Sequence, residues 1–118
     1  MLTTVISKMD QNLKAGDLVQ SSFDGDWNVE SVETDVVKCF RYDDDWEKHE
    51  KEFAFSDLQL IEKGIEEIFT KSDAVKLTSG GPSWTVLDTK ENTAVCAMPE
   101  EFDFIEVEFP LAALKAVD

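Results

Sequence analysis

One stretch of the chain decides the fold: Val75-Lys76-Leu77-Thr78-Ser79-Gly80-Gly81-Pro82-Ser83-Trp84-Thr85-Val86. Apolar and polar residues alternate at its start, and Trp84 and Val86 resume the alternation at its end. Between these two segments, Gly80-Gly81-Pro82 requires a tight turn that few other side chains could follow. The stretch therefore predicts two antiparallel strands joined by a hairpin turn.

A similar pattern occurs upstream, from Leu18 to Val29, which indicates an internal repeat. The matching residues are offset by 56 or 57 positions, and the one-residue slips fall in predicted loops, where added chain length costs little. We therefore predict two modules, residues 16–62 and 72–118. The matched pairs are Trp27 with Trp84, Val29 with Val86, Cys39 with Cys96, Phe53 with Phe109 and Leu58 with Leu114.

The repeat also resembles a known family. Its second copy carries Lys76-Leu77-Thr78-Ser79-Gly80-Gly81-Pro82, Trp84-Thr85-Val86, Val95-Cys96, Phe109-Pro110 and Leu114, and its first carries Cys39-Phe40-Arg41-Tyr42-Asp43 and Phe53. These residues are similar to the YodC-like family of small uncharacterised bacterial proteins, present here as a tandem repeat. The first copy departs from the pattern at Phe23-Asp24-Gly25-Asp26, and Arg41 and Met98 stand where the family has an aromatic residue. The resemblance implies a small SH3-like β-barrel and no established activity.

The predicted fold is all-β, with two tandem SH3-like small β-barrels and two short helical segments. Residues 1–15 form the predicted N-terminal helix, because Leu2, Val5, Ile6 and Met9 recur at helical spacing. Residues 63–71 form the predicted helical connector, in which Ile65, Ile68 and Phe69 face the seam between the modules.

Composition and charge exclude several classes of protein. No apolar run is long enough to span a bilayer, and the N-terminus lacks the layout of a secretion signal, so we expect no membrane association and a cytoplasmic location. The net charge is −15, with fourteen acidic and four basic residues (−10) in residues 16–62 and nine and three (−6) in residues 72–118. This acidity disfavours direct binding to nucleic acid. Cys39 and Cys96 hold equivalent places in separate modules, which predicts reduced, buried thiols.

No catalytic, cofactor or metal signature is present, so we predict a protein that is not an enzyme and has no cofactor. Asp24, Asp26, Asn28 and Asp35 match part of a calcium-loop template, but Val29 occupies the position that requires glycine. His49 is the only histidine, which leaves zinc sites and histidine-dependent catalysis without partners.

The predicted function is a non-enzymatic acidic module that binds a basic protein partner. In a narrower version the module mimics nucleic acid and blocks a basic nucleic-acid-binding surface, as a phage or mobile-element inhibitor of a bacterial defence or DNA-handling complex would. The alternative is a housekeeping barrel whose acidity only serves solubility. We expect a monomer or a homodimer. The predicted partner-binding residues are Asp43, Asp44, Asp45, Trp46, Glu47, Glu50 and Glu52.

Trp46 has two interpretations of equal weight. Flanked by Asp45 and Glu47 at a predicted hairpin tip, it is a candidate anchor for a partner. Alternatively, the ring folds back onto the edge of a barrel. The sequence leaves this choice open.

Overall fold

A computed structural model describes residues 12–98 and 106–117. The first of its two sheets contains five antiparallel strands in the order β4-β3-β2-β1-β5. A 3₁₀ turn over Phe55–Asp57 separates the last two of these strands along the chain. The strands are β1 (Leu18–Ser21), β2 (Gly25–Val32), β3 (Val36–Tyr42), β4 (Lys48–Ala54) and β5 (Leu58–Glu62).

The second sheet repeats the first. Its order, β10-β6-β7-β8-β9, is the same arrangement with each strand replaced by its repeat equivalent. A 3₁₀ turn over Leu111–Ala113 again precedes the last strand. The strands are β6 (Ala74–Leu77), β7 (Gly80–Thr89), β8 (Thr93–Ala97), β9 (Glu106–Pro110) and β10 (Leu114–Ala116).

Strand register confirms the internal repeat. Val29 pairs with Cys39 in the first sheet, and Val86 pairs with Cys96 in the second. The backbone N–H of Val29 donates to the carbonyl of Asp17 at 2.9 Å, and Val86 makes the equivalent bond, also at 2.9 Å. Equal spacing in the sequence thus produces equal hydrogen bonding.

Each module has its own apolar core, and each core contains one free cysteine. Cys39 packs with Trp27 and Phe53, and Cys96 packs with Trp84 and Phe109. Both thiols are buried, as predicted. Burial, with a smaller contribution from a nearby carboxylate, raises the pKa of Cys39 to about 12, and burial raises the pKa of Cys96 to about 11.

Two details of the predicted fold are not supported by the structure. Within residues 12–98 and 106–117 the sheets stay open, because the edge strands do not pair with each other: β4 and β5 are the edges of the first sheet, and β9 and β10 are the edges of the second. The connector over residues 63–71 contains no helix. Most of the predicted N-terminal helix, residues 1–11, lies outside the described residues.

Tertiary contacts override the helical spacing of the connector. The backbone N–H of Gly64 donates to the carboxylate of Asp17 at 2.8 Å, and a Cβ at Gly64 would lie 2.7 Å from that of Ala112. Of the three apolar residues, only Phe69 is buried, whereas Ile68 is 95% exposed. A helix this short has little intrinsic stability to set against such contacts.

A buried polar residue fixes the two modules to each other. Asn28 is fully buried, and its Nδ2 donates to Thr78 Oγ1 at 2.7 Å and to the carbonyl of Gly16 at 3.3 Å. Its Oδ1 accepts from the backbone N–H of Ser79 at 3.1 Å. Because buried polar groups are costly without partners, these bonds favour one orientation of the modules.

The turn predicted at Gly80-Gly81-Pro82 lies instead at Thr78 and Ser79, and the two glycines begin β7. The start of β7 also packs against the first module. A Cβ at Gly81 would lie 2.6 Å from the carbonyl oxygen of Tyr42, so only glycine permits this approach. The two modules therefore meet through backbone as well as side chains. In the described part of the chain, no helix has the length and apolar character required to cross a bilayer.

Candidate functional site

The predicted partner-binding residues lie on one hairpin and the strand that follows it. Asp43 organises the hairpin, since its Oδ1 accepts from the backbone N–H groups of Asp45 at 2.8 Å and Glu47 at 3.1 Å. Its Oδ2 lies 2.9 Å from His49 Nε2. The hydrogen bond from His49 lowers the pKa of Asp43, and the two backbone bonds add to the effect. Asp43 therefore stabilises the turn.

The remaining acidic residues of the hairpin point into solvent. Asp44, Asp45 and Glu47 are all exposed. Ligand atoms of Asp43, Glu47 and His49 lie within 4.8 Å of one another. The hydrogen bonds of the turn account for this proximity, and we assign no metal site to it.

Trp46 folds onto the second module. Its φ of 66° turns the chain back at the hairpin tip, and its ring meets Trp84 edge to face, with centroids 4.8 Å apart. The ring is half-buried. Of the two interpretations of Trp46, the structure thus shows the packed one, with the contact made across the module boundary.

Two more aromatic residues of the first module enter the second core. Phe40 stacks on Phe109 with centroids 5.9 Å apart, and Tyr42 meets Trp84 edge to face at 5.0 Å. Both extend from the face of β3 opposite to Cys39. One strand of the first module therefore contributes to both cores.

Lys48 is held by carboxylates on the outer face of the first sheet. Its Nζ lies 3.1 Å from Glu50, 3.8 Å from Glu30 and 5.7 Å from the ring centroid of Phe40. Partial burial works to lower the pKa of Lys48, but the hydrogen bond to Glu50 and the charges of Glu50 and Glu30 outweigh it, and the pKa is raised. This surface stabilises an ammonium ion.

Sequence reasoning missed Glu30. The pairing of β2 with β3 shifts between Val29 and Ser31, so Glu30 is the extra residue of a β-bulge. Bulges redirect side chains and often lie beside functional sites. The repeat-equivalent position in the second module is Leu87, so this carboxylate belongs to the first module alone. The alternation of residues along one strand does not reveal a bulge. The presence of a charged residue, Glu30, where the second module has the apolar Leu87 was nevertheless a sign in the sequence that the two modules differ at this position.

A groove of about 350 Å³ lies between the modules, beside Lys48. Its floor is apolar and its borders carry two carboxylates of different modules, Glu30 and Glu108. Thr93 Oγ1 donates to Glu108, which lowers the pKa of that carboxyl, and Lys90 contributes to the same effect. The groove is lined by Glu30, Phe40, Lys48, Thr93, Val107, Glu108, Phe109 and Pro110.

A second depression, of about 400 Å³, adjoins the groove on the first sheet and shares Glu30 with it. Glu50 and Glu52, both predicted from the sequence, line this depression. Lys38 and Lys51 lie among them, so acidic and basic groups are interleaved. The structure therefore brings Glu50 and Glu52 together with Glu30 and Lys48, and leaves Asp44, Asp45 and Glu47 on the separate hairpin tip.

No protein-family model and no curated protein sequence matches the chain. The resemblance to the YodC-like family therefore stays a prediction. Two solved structures are similar, both of tandem Agenet domains. Domains 3–4 of ADCP1 are 19% identical over 99% of this chain and 89% of that chain, with a TM-score of 0.39. The AGD34 structure of AGDP1 from Arabidopsis thaliana is 19% identical over 99% and 90%, with a TM-score of 0.38. At these values the likeness carries no inference about function.

Proposed function

We propose that this chain is a non-enzymatic module that binds a basic segment of another protein along the groove between its two modules. The observation that carries this proposal is the position of Lys48, whose ammonium group lies between Glu30 and Glu50 and above the ring of Phe40. A surface that holds a lysine of its own chain has the chemistry to hold a lysine or arginine of a partner.

Charge and shape favour the same partner. The net charge of −15 attracts basic chains over distances of about 8–10 Å at moderate salt. The apolar floor supplied by Phe40, Val107 and Phe109 would exclude water from the contact once a segment is seated. Two buried, free thiols suit the reducing environment of the cytoplasm.

Binding of an oligolysine peptide tests this proposal. We expect the full chain to bind it in 50 mM salt and to lose at least about tenfold in affinity at 200 mM, because the contact is largely electrostatic. The double variant Glu30→Gln/Glu108→Gln should weaken binding more than Glu66→Gln/Glu67→Gln, which removes the same charge from the exposed connector. Equal losses in the two variants would assign the effect to net charge and overturn the groove as the site.

Mimicry of nucleic acid is the narrower candidate, and one observation favours it. Glu50 and Glu52 are exposed on the same face of β4, where alternate residues recur about every 6.8 Å, a spacing close to two phosphate steps along one DNA strand. Competition distinguishes it from general binding of basic segments. A basic partner that binds DNA should release the DNA when this protein is added, and a ternary complex of all three would exclude mimicry.

A further inference from the structure

Lys48 lies at the junction of the two depressions on this surface. It lines the groove between the modules, and it pairs with Glu50, which lines the adjoining depression. Glu30 borders both depressions and is the second carboxylate that holds Lys48. The ammonium group therefore sits where the two spaces meet.

The contacts of Lys48 define a site for one cationic side chain. Carboxylates stand 3.1 Å and 3.8 Å from its Nζ, and an aromatic ring lies 5.7 Å away. A compact ammonium group suits this combination of charge and ring. The Lys48 side chain is 39% exposed and joined by a flexible four-carbon stem, so it can turn outward without disturbing either core.

We propose that Lys48 is an internal occupant of the cation site, which a lysine side chain of the partner displaces when it binds. The inference rests on the proposed function and specifies its partner, a lysine-containing segment that enters the groove. Lys48 then acts as a built-in competitor. It lowers the apparent affinity for the partner by the fraction of time it occupies the site.

The substitution Lys48→Met tests the displacement, because it keeps most of the stem and removes the ammonium group. We expect the full-length variant to bind an oligolysine peptide about three- to tenfold more tightly than the unaltered protein, as release from a competitor predicts. Lys71→Met is the matched control, since it makes the same change in net charge at an exposed residue of the connector. Lys71→Met should change the affinity for the peptide by less than about twofold, because salt screens the effect of a single charge at an exposed position.

A second substitution, Lys48→Arg, keeps both the net charge and a cationic competitor, and it should bind the peptide no more tightly than the unaltered protein does. Equal gains for Lys48→Met and Lys71→Met would overturn the internal-occupant proposal while leaving the proposed function in place. Failure of the unaltered protein and of Lys48→Met to bind oligolysine would overturn both. Thermal unfolding of each variant checks that the fold is retained.

Discussion

Trp46 and Trp84 belong to different modules, yet their rings meet edge to face with centroids 4.8 Å apart. Trp84 is 1% exposed, and Trp46 covers part of it from the tip of a hairpin in the first module. A residue that the sequence left open between a surface anchor and a packed ring is therefore part of the interface between the modules.

Trp46→Ala should lower the free energy of unfolding. The ring is half-buried, so we expect a loss of about 2 kcal/mol, less than the full cost of truncating a completely buried aromatic residue. Urea unfolding, monitored by tryptophan fluorescence and by circular dichroism, measures this loss of stability. Phe23→Ala is the control, because Phe23 is 94% exposed and its loss should change stability by less than about 0.5 kcal/mol. Similar losses in the two variants would contradict the packing role of Trp46.

Gly81→Ala should destabilise the protein more than Gly80→Ala does. Both glycines have positive φ, +95° and +108°, so both substitutions strain the backbone. A Cβ at Gly81 would also lie 2.6 Å from the carbonyl oxygen of Tyr42, whereas a Cβ at Gly80 would meet nothing within 4 Å. The difference between the variants isolates the contact between modules, and we expect it to exceed about 1 kcal/mol in urea unfolding. Equal values would contradict a tight contact between Gly81 and Tyr42.

Asn28→Ala should cost about 2–3 kcal/mol. The substitution removes the acceptor of the partly buried backbone N–H of Ser79 and one donor to the carbonyl of Gly16. Each of these groups then carries the free-energy cost of a lost hydrogen bond. Asn92→Ala, at an exposed turn, should be nearly neutral. Differential scanning calorimetry gives both values, and a neutral Asn28→Ala would imply that water enters the interface and replaces the side chain.

The sequence specified the repeat because hydrophobic periodicity and turn residues are local signals. Trp27 and Trp84, Cys39 and Cys96, and Phe53 and Phe109 were matched from spacing alone, and the strand registers agree. The all-β class followed from the same alternation. Whether the sheets close was not local information, because closure depends on whether the two strands at opposite edges of a sheet, such as β4 and β5, pair with each other.

The interface between the modules was harder to predict, although one strand carried a signal. β3 is apolar on both faces, with Val37 and Cys39 on one and Phe40 and Tyr42 on the other. A strand with two apolar faces is buried on both sides, and a single small module offers only one core. Glu30 was missed for a different reason, since a β-bulge arises from the pairing of two strands and leaves no mark on the alternation of one.

Alkaline pH should destabilise the protein through its thiols. The folded pKa values, about 12 for Cys39 and about 11 for Cys96, lie above the ordinary value of 9.0. The unfolded state therefore loses these protons first, so the contribution is fully present below pH 9 and is lost as the pH rises from 9 towards 11 and 12. Urea unfolding at several pH values should show a shallower alkaline decline for Cys39→Ala/Cys96→Ala than for the unaltered protein. Identical slopes would mean that the thiols ionise equally in both states.

The modules should differ in their ability to fold alone, because they share aromatic residues unequally. The apolar core of the first module consists of its own residues and Leu13, whereas that of the second includes Phe40 and Tyr42 from the first. An isolated second module would expose Trp84 and Phe109 where these rings now pack. At this chain length a module has little stability to spare.

We therefore expect residues 1–63 to give a cooperative, if weakened, unfolding transition, and residues 64–118 to give none under the same conditions. Circular dichroism and the dispersion of amide proton signals in NMR spectra of the two fragments measure this. Mixing the fragments should restore structure to the second, since the first supplies Phe40 and Tyr42 on a preformed sheet. A second module that folds alone with a cooperative transition would show that these rings only cover its core. The two halves would then be separate domains whose relative orientation depends on contacts such as those of Asn28 with Thr78 and Ser79.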